Sequence, residues 1–232
     1  MADYKKPDAW QLKARKEGYP ARSVYKLQEI DEKFGLLKPM RPGRPFKVLD
    51  LGAAPGSWSL YVLRKMARLT GGGARPGGAD GASAAKPAGG AALVAADLSP
   101  LSRRFDGGLF DGENFHFIQG DITEPAAREA ILSRGPYSLI VSDAAPATMG
   151  NRFVDTCRSL DLAGEVVGYA EEALAEGGCL LVKVFQGGDT SELLKRLRSV
   201  FQSAKSHKPQ ACRSESFETY YLGLQKKPRS QR

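Results

Sequence analysis

The sequence Val48-Leu49-Asp50-Leu51-Gly52-Ala53-Ala54-Pro55-Gly56-Ser57-Trp58 carries the clearest indication of the fold class. An apolar run ends in an acid, a tight turn of small residues follows, and a helix begins near Trp58. In an α/β protein this order places a cofactor-binding turn at the carboxyl end of the first strand. Gly52 and Gly56 allow a ligand to approach the backbone closely. The stretch therefore predicts an α/β fold with a nucleotide-type cofactor at this edge of the sheet.

The acid in this turn discriminates between cofactors. Turns that bind a pyrophosphate read G-x-G-x-x-G and place the phosphates on a helix N-terminus. Here the turn reads D-x-G-x-A-x-G, with Pro55 inside it. The Asp50 carboxylate favours a cofactor that carries positive charge and no phosphate. S-adenosylmethionine, with its sulfonium and ammonium groups, fits this description, whereas NAD and ATP fit poorly.

Composition indicates a cytoplasmic protein with a single domain, residues 1–232, and nothing in it demands more than a monomer. The N-terminal segment has no signal-peptide core, and no apolar run is long enough to span a bilayer. The three cysteines have no metal-ligand spacing, which favours a reduced compartment and no metal site.

Positive charge is concentrated at the two ends of the chain. Residues 1–47 hold 12 Lys and Arg against six Asp and Glu, and residues 195–232 hold ten against two. Residues 48–194, in contrast, hold 12 against 18. A weakly acidic core with basic ends predicts contact with a polyanion such as nucleic acid, although solvated lysine-rich ends give the same pattern.

Strand and helix patterns alternate along the chain, which is typical of a largely parallel sheet with helices on both faces. Residues 1–45 have the pattern of a basic helical extension, and helices are also expected over 58–69, 124–133, 160–175 and 190–201. Residues 71–92 hold eight Gly and eight Ala, so we expect a flexible loop away from the ligand edge. The predicted strands are Phe46–Leu51, Ala91–Leu98, Phe115–Gln119, Tyr137–Ser142, Cys179–Phe185 and Phe217–Leu224.

Acids recur where these strands end, at Asp50, Asp97, Asp121 and Asp143. The carboxyl ends of parallel strands line one edge of a doubly wound sheet, so the four acids are expected to meet there. Asp97 is placed to accept hydrogen bonds from ribose hydroxyls, and Asp121 to receive an adenine amino group. Taken singly, each acid is more often a helix cap or a turn residue.

Two further features bear on the reaction. Methyltransferases that act on amino nitrogens usually read [DN]-P-P-[YF] after the fourth strand, and cytosine C5 methylation needs a nucleophilic Cys there. Asp143-Ala144-Ala145-Pro146 fits neither pattern, which favours a hydroxyl as the acceptor. Lys183 interrupts the apolar run 180–185, and it is either a strand-end lysine that reaches water or a site lysine paired with Asp143.

The chain resembles the FtsJ (RrmJ) family of RNA ribose 2′-O-methyltransferases. The matching segments are 22–30, 50–59, 119–121, 142–146, 177–186 and 214–221. The resemblance implies a Rossmann-like S-adenosylmethionine-dependent methyltransferase fold with one mostly parallel, seven-stranded sheet. It places a catalytic Lys-Asp-Lys-Glu tetrad on Lys26, Asp143, Lys183 and Glu218, and cofactor contacts on Gly56, Trp58, Asp97, Asp121 and Asp143. The Gly/Ala-rich insertion and Ser57, where the family usually has glycine, are departures from the family pattern.

The resemblance also suggests a mechanism and a target. Lys183 is either a neutral base for the hydroxyl proton or a cation that orients the hydroxyl. Bacterial members similar to this chain act on a uridine of ribosomal RNA in the large ribosomal subunit. Alternatives are a transfer-RNA or mRNA-cap target, a non-catalytic RNA-binding assembly factor and a small-molecule O-methyltransferase. Candidate phosphate contacts are Lys5, Lys6, Lys13, Arg15, Lys16, Arg22, Lys205, Lys208 and Arg213.

Overall fold

One seven-stranded sheet organises the chain, in the order β3-β2-β1-β4-β5-β7-β6. The structure, a computed structural model, describes residues 8–39, 45–69, 90–187, 189–213, 216–228 and 230. The strands are β1 (Phe46–Leu51), β2 (Ala91–Asp97), β3 (Phe115–Gln119), β4 (Tyr137–Ser142), β5 (Leu174–Phe185), β6 (Phe201–His207) and β7 (Glu218–Lys226). The helices are α1 (Ala9–Lys16), α2 (Val24–Phe34), α3 (Ser57–Leu69), α4 (Pro125–Leu132), α5 (Arg152–Ala173) and α6 (Ser191–Val200). The predicted α/β class is confirmed.

Strand direction determines which residues reach the ligand edge. Strands β3, β2, β1, β4 and β5 pair in parallel, so their carboxyl ends lie together. Strand β7 is antiparallel to both β5 and β6. Its first residue, Glu218, therefore pairs with Phe185 at the end of β5, and Tyr220 pairs with Lys183. The antiparallel strand thus brings its amino end to the edge where the parallel strands finish.

Both faces of the sheet are covered by helices, as the sequence predicted. Alternate residues of a strand face opposite sides, so Val48 packs in one core cluster and Leu49 in the other. Side chains of α2 and α3 join the first cluster, and side chains of α5 and α6 join the second. Because both faces are buried, the central strands are apolar along nearly their whole length.

The described part of the extension before β1 carries two helices, α1 and α2. Asp8 caps α1 through a reciprocal capping box with Gln11, and α2 buries Val24, Leu27 and Ile30 against the sheet. The predicted loop 71–92 lies outside the described residues up to position 89. The predicted loop overlapped the predicted strand at Ala91 and Ala92, and the strand prediction is correct there, because both residues pair with β1.

Two other sequence predictions need correction. Strand β6 was not predicted because residues 201–207 contain no β-branched side chain and pair with β7 alone at the sheet edge. Helix α5 begins at Arg152, eight residues before the predicted start, because the Asn151 side chain accepts from the Phe153 and Val154 amides and caps it. No helix in the described part of the chain is both long and apolar enough to cross a membrane.

Candidate active site

The turn between β1 and α3, residues 52–56, is the first component of the site, and we call it the cofactor turn. Gly52 adopts φ +75°, and a Cβ there would lie 2.6 Å from the Ala144 Cα. Gly56 adopts φ +104°, and a Cβ there would lie 3.0 Å from the Phe110 ring. Only glycine therefore fits at position 52, where the turn passes directly against the residue that follows Asp143.

Asp50 is a buried acid whose carboxylate is only half satisfied by hydrogen bonds. One carboxylate oxygen, Oδ2, accepts from the Ser59 hydroxyl at 2.7 Å, and the other, Oδ1, has no hydrogen-bond partner among the described residues. Burial, with the nearby charges of Asp143 and Asp97 adding to it, raises the pKa of Asp50 to about 7. Asp50, Asp97 and Asp143 form what we call the acid cluster, a negative region suited to a cation.

Asp97 and Asp121 lie at the ends of neighbouring strands, where the sequence placed them. Asp97 accepts from the backbone amides of Ala54 at 2.9 Å and Ser99 at 2.8 Å, so it braces the cofactor turn. Asp121 Oδ1 accepts from the amide and the hydroxyl of Thr123, and these bonds lower the pKa of Asp121. Each carboxylate has further lone pairs for a ligand, so both cofactor assignments stay predictions.

Four charged side chains from different elements come together at this edge, and we call them the four-group cluster. They are Lys26 of α2, Asp143 at the end of β4, Lys183 of β5 and Glu218 of β7. Lys26 Nζ lies 2.6 Å from Glu218 Oε1, and Lys183 Nζ lies 3.1 Å from Asp143 Oδ1. Their side chains are between 8% and 16% exposed, so solvent reaches each pair only partly. The structure thus brings together all four residues of the predicted tetrad.

Mutual electrostatics favour the charged forms of Asp143 and Lys26. Burial alone would raise the pKa of Asp143, but the ammonium groups of Lys183 and Lys26 outweigh it and lower that pKa. Burial would likewise lower the pKa of Lys26, but the carboxylates of Asp143 and Glu218 outweigh it and raise that pKa. Removing one partner would leave an uncompensated buried charge, so the groups depend on one another.

Tyr220 is a functional candidate that the sequence analysis did not single out. Its hydroxyl donates to Asp143 Oδ1 at 2.6 Å, and its ring is fully buried. Burial and the Asp143 charge raise the pKa of Tyr220 well above its usual value, so the hydroxyl remains a donor. The available signal was strand periodicity, because residues 218 and 220 lie on one face of β7.

Trp58 and Ser57 attach the cofactor turn to the segment before α2. The Trp58 indole nitrogen donates to the Ser23 carbonyl at 2.8 Å, and only 2% of the side chain is exposed. Ser57 Oγ accepts from the Ala21 amide at 2.9 Å and donates to the Ala21 carbonyl at 3.2 Å. Ser57 therefore connects the cofactor turn to the element that carries Lys26. The predicted contact between Trp58 and a cofactor stays a prediction.

The candidate phosphate contacts differ in their availability. Arg15 and Lys16 are exposed, whereas Arg22 forms an ion pair with Asp8 and donates to the Ala211 carbonyl. Lys208 Nζ donates to the Ser216 carbonyl at 2.7 Å. Lys5 and Lys6 lie outside the described residues. Arg22 thus has an internal structural partner, which argues against a main role in RNA contact.

The residues at this edge fit S-adenosylmethionine. The buried Asp50 Oδ1 has no hydrogen-bond partner among the described residues, and the acid cluster favours the cation. The sheet order, with one antiparallel strand between β5 and β6, and this site define an S-adenosylmethionine-dependent methyltransferase. The FtsJ-like methyltransferase family matches residues 19–226, and the chain belongs to that family.

Curated relatives match nearly the whole chain. The Ribosomal RNA large subunit methyltransferase E of Treponema denticola is 45% identical over 224 residues, which cover 95% of this chain and 96% of the relative. The protein of the same name from Oleidesulfovibrio alaskensis is 40% identical over 219 residues, covering 94% and 90%. A crystal structure of a Plasmodium falciparum protein described as a ribosomal RNA methyltransferase superposes with a TM-score of 0.66 at 24% identity, covering 91% and 100%. This structural match supports the assignment of the fold alone.

Proposed function

We propose that this enzyme methylates a ribose 2′-oxygen, on a uridine, in 23S ribosomal RNA of the large ribosomal subunit. The observation that carries the reaction is the four-group cluster beside the cofactor turn, with Lys183 Nζ 3.1 Å from Asp143 Oδ1. The names of relatives up to 45% identical over nearly the full chain support the RNA class and the subunit. Net positive charge at both ends of the chain supports a polyanionic substrate.

The protein must hold the cofactor and orient it. We propose that the glycines of the cofactor turn, with Trp58, Asp97, Asp121 and Asp143, form its binding site, and that Asp50 adds negative potential beneath it. S-adenosylmethionine supplies an activated methyl group when it is bound, so alignment of the acceptor oxygen is the main task left to the protein.

Lys183 is our candidate for orienting the acceptor hydroxyl. An ammonium has three donors, and Asp143 takes two of them, one through Oδ1 and one through its backbone carbonyl. The third donor is then free for a ribose 2′-oxygen and fixes the direction of its lone pair. A neutral amine would make the same two hydrogen bonds and present its lone pair as a base, so both roles share this contact pattern. In the orienting role, the hydroxyl proton passes to solvent water late, once the forming C–O bond has made it strongly acidic.

Lys26, Glu218 and Tyr220 support that arrangement. The Lys26 ammonium helps to keep Asp143 ionised, and Glu218 fixes the position of Lys26 at 2.6 Å. Tyr220 donates to the same Asp143 oxygen that receives Lys183. We therefore expect the loss of Lys183 to be the most severe for turnover, and the loss of Glu218 to be milder.

We also propose that the enzyme works as a monomer in the cytoplasm. All four residues of the four-group cluster come from one chain, so no second copy is needed to complete the site. Cys157, Cys179 and Cys212 are all free thiols, which agrees with a reducing compartment. Sedimentation equilibrium of the purified protein tests the monomer, and a stable dimer would contradict it.

Incubation with methyl-labelled S-adenosylmethionine tests the function. Large subunits, small subunits, deproteinised ribosomal RNA and bulk transfer RNA would be supplied separately, with Lys183→Ala as the inactive control. We expect label in RNA from the large subunit and none in transfer RNA. Label confined to transfer RNA would overturn the proposed target, and label in no RNA would overturn the proposed substrate class.

A further inference from the structure

The segment that joins β4 to α5 presents an unusual apolar surface. Met149 is 70% exposed and Phe153 is 73% exposed, and they are two of the four large hydrophobic side chains that are exposed among the described residues. Arg152 is exposed between them. We call Met149, Arg152 and Phe153 the α5 entry surface. An aromatic and a thioether side chain next to an arginine are well suited to contact a planar, negatively charged partner.

Hydrogen bonds hold this surface in place. The Met149 amide donates at 2.7 Å to Oδ1 of Asp155, which is itself buried. The Asn151 side chain caps the helix by accepting from the Phe153 amide at 3.1 Å. Arg158 donates to the Ala147 carbonyl at 3.0 Å. Phe153 is therefore presented to solvent by a braced helix start, which lowers the entropic cost of binding a partner.

The surface adjoins the four-group cluster. Its segment begins immediately after Asp143, and the Arg152 guanidinium lies 5.2 Å from the centre of the Phe217 ring. Phe217 directly precedes Glu218 and packs against Phe185 with ring centres 4.8 Å apart. An RNA chain that leaves the four-group cluster on the Phe217 side therefore meets Arg152 at the start of α5.

We propose that the α5 entry surface binds the unpaired base and phosphate of a nucleotide next to the methylated one. This inference rests on the proposed function. An RNA ribose offered to a recessed site comes from a segment whose bases are unstacked, and such bases bind by stacking on exposed aromatic rings. Phe153 provides the ring and Arg152 the cation for the adjoining phosphate. The surface thus selects single-stranded RNA at the point of catalysis.

Replacement of Phe153 tests this role without threatening the fold, because the side chain is exposed. We expect Phe153→Ala to raise the KM for deproteinised ribosomal RNA by about tenfold, with kcat and the affinity for S-adenosylhomocysteine unchanged. Phe153→Trp should retain the wild-type KM, since tryptophan also stacks. Leu12→Ala is the matched control, because it removes another exposed apolar side chain, from α1.

A readout that needs no turnover separates this inference from the proposed function. Single-stranded RNA should quench the added tryptophan fluorescence of Phe153→Trp relative to wild type, and duplex RNA or heparin should not. Absence of quenching, or an unchanged KM for Phe153→Ala, would overturn the inference. If Phe153→Ala raised the KM only for intact subunits and not for deproteinised RNA, the inference would also fail, and the surface would be assigned to a protein partner instead. If wild type methylates no RNA, the proposed function fails by itself, whereas the quenching result still decides the role of Phe153.

Discussion

We expect Asp50→Asn to stabilise the fold at pH 8 by a larger margin than at pH 5. Asp50 is buried to 1% exposure, and one of its oxygens has no hydrogen-bond partner in the part of the chain that the structure describes. Its pKa rises from the ordinary 3.8 to about 7 in the folded protein, chiefly because of burial and then because of Asp143 and Asp97. Asparagine has nearly the same shape and cannot ionise, so the substitution removes the titration and little else.

The magnitude follows from proton linkage. Because the folded pKa of Asp50 is raised, the folded state holds a proton that the unfolded state has lost between pH 3.8 and about pH 7. Unfolding free energy therefore falls by about 1.4 kcal/mol per pH unit across that window. From pH 5 to pH 8 the titration of Asp50 lowers the free energy of unfolding of wild type by about 3 kcal/mol, and this decrease is absent in the variant.

Urea denaturation of both proteins at pH 5 and pH 8 measures the difference. The stability advantage of Asp50→Asn should widen by about 3 kcal/mol between the two pH values. Asp121→Asn is the control, because the folded pKa of Asp121 is lowered and both of its states are ionised throughout this range. An advantage that stays constant with pH would refute the view that Asp50 is an uncompensated buried acid.

Three further predictions concern the site. Lys183→Ala should lower turnover by at least about a thousandfold, while calorimetry finds unchanged affinity for S-adenosylhomocysteine. Glu218→Gln should lower turnover less. Near-normal turnover in Lys183→Ala would refute the catalytic role proposed for Lys183. Tyr220→Phe deletes one hydrogen bond to the ionised Asp143, so kcat should fall about tenfold with the fold retained by circular dichroism; unchanged kcat would make Tyr220 a packing residue. Deletion of residues 72–89 should leave turnover nearly intact in a folded protein, and a large loss would contradict the sequence-based prediction that this segment lies away from the chemistry.

Local sequence was sufficient to predict where the cofactor turn and the strand-end acids lie. Asp50, Gly52 and Gly56 are neighbours in sequence, so their pattern is visible without knowing the fold, and parallel strands necessarily bring Asp97, Asp121 and Asp143 to one edge. Lys183 was visible because a lysine inside an apolar strand requires a partner. Its predicted pairing with Asp143 agrees with the 3.1 Å contact in the structure.

Long-range contacts were beyond the reach of local patterns. Lys26 and Glu218 lie 192 positions apart in the sequence and entered only through family resemblance, because nothing near either residue indicates the other. The Ser57 bonds to Ala21 and the Tyr220 bond to Asp143 depend on tertiary packing in the same way. Strand β6 lacked a distinctive pattern because an edge strand can keep polar side chains on both faces.

Alkaline digestion of the labelled RNA determines whether the methyl group goes to a ribose 2′-oxygen. Alkali cleaves RNA through attack by the 2′-hydroxyl, so a methylated ribose leaves its linkage intact. We predict that wild-type enzyme and large subunits yield label in alkali-resistant dinucleotides, with Lys183→Ala yielding none. Label recovered in mononucleotides would place the methyl group on a base and contradict the account.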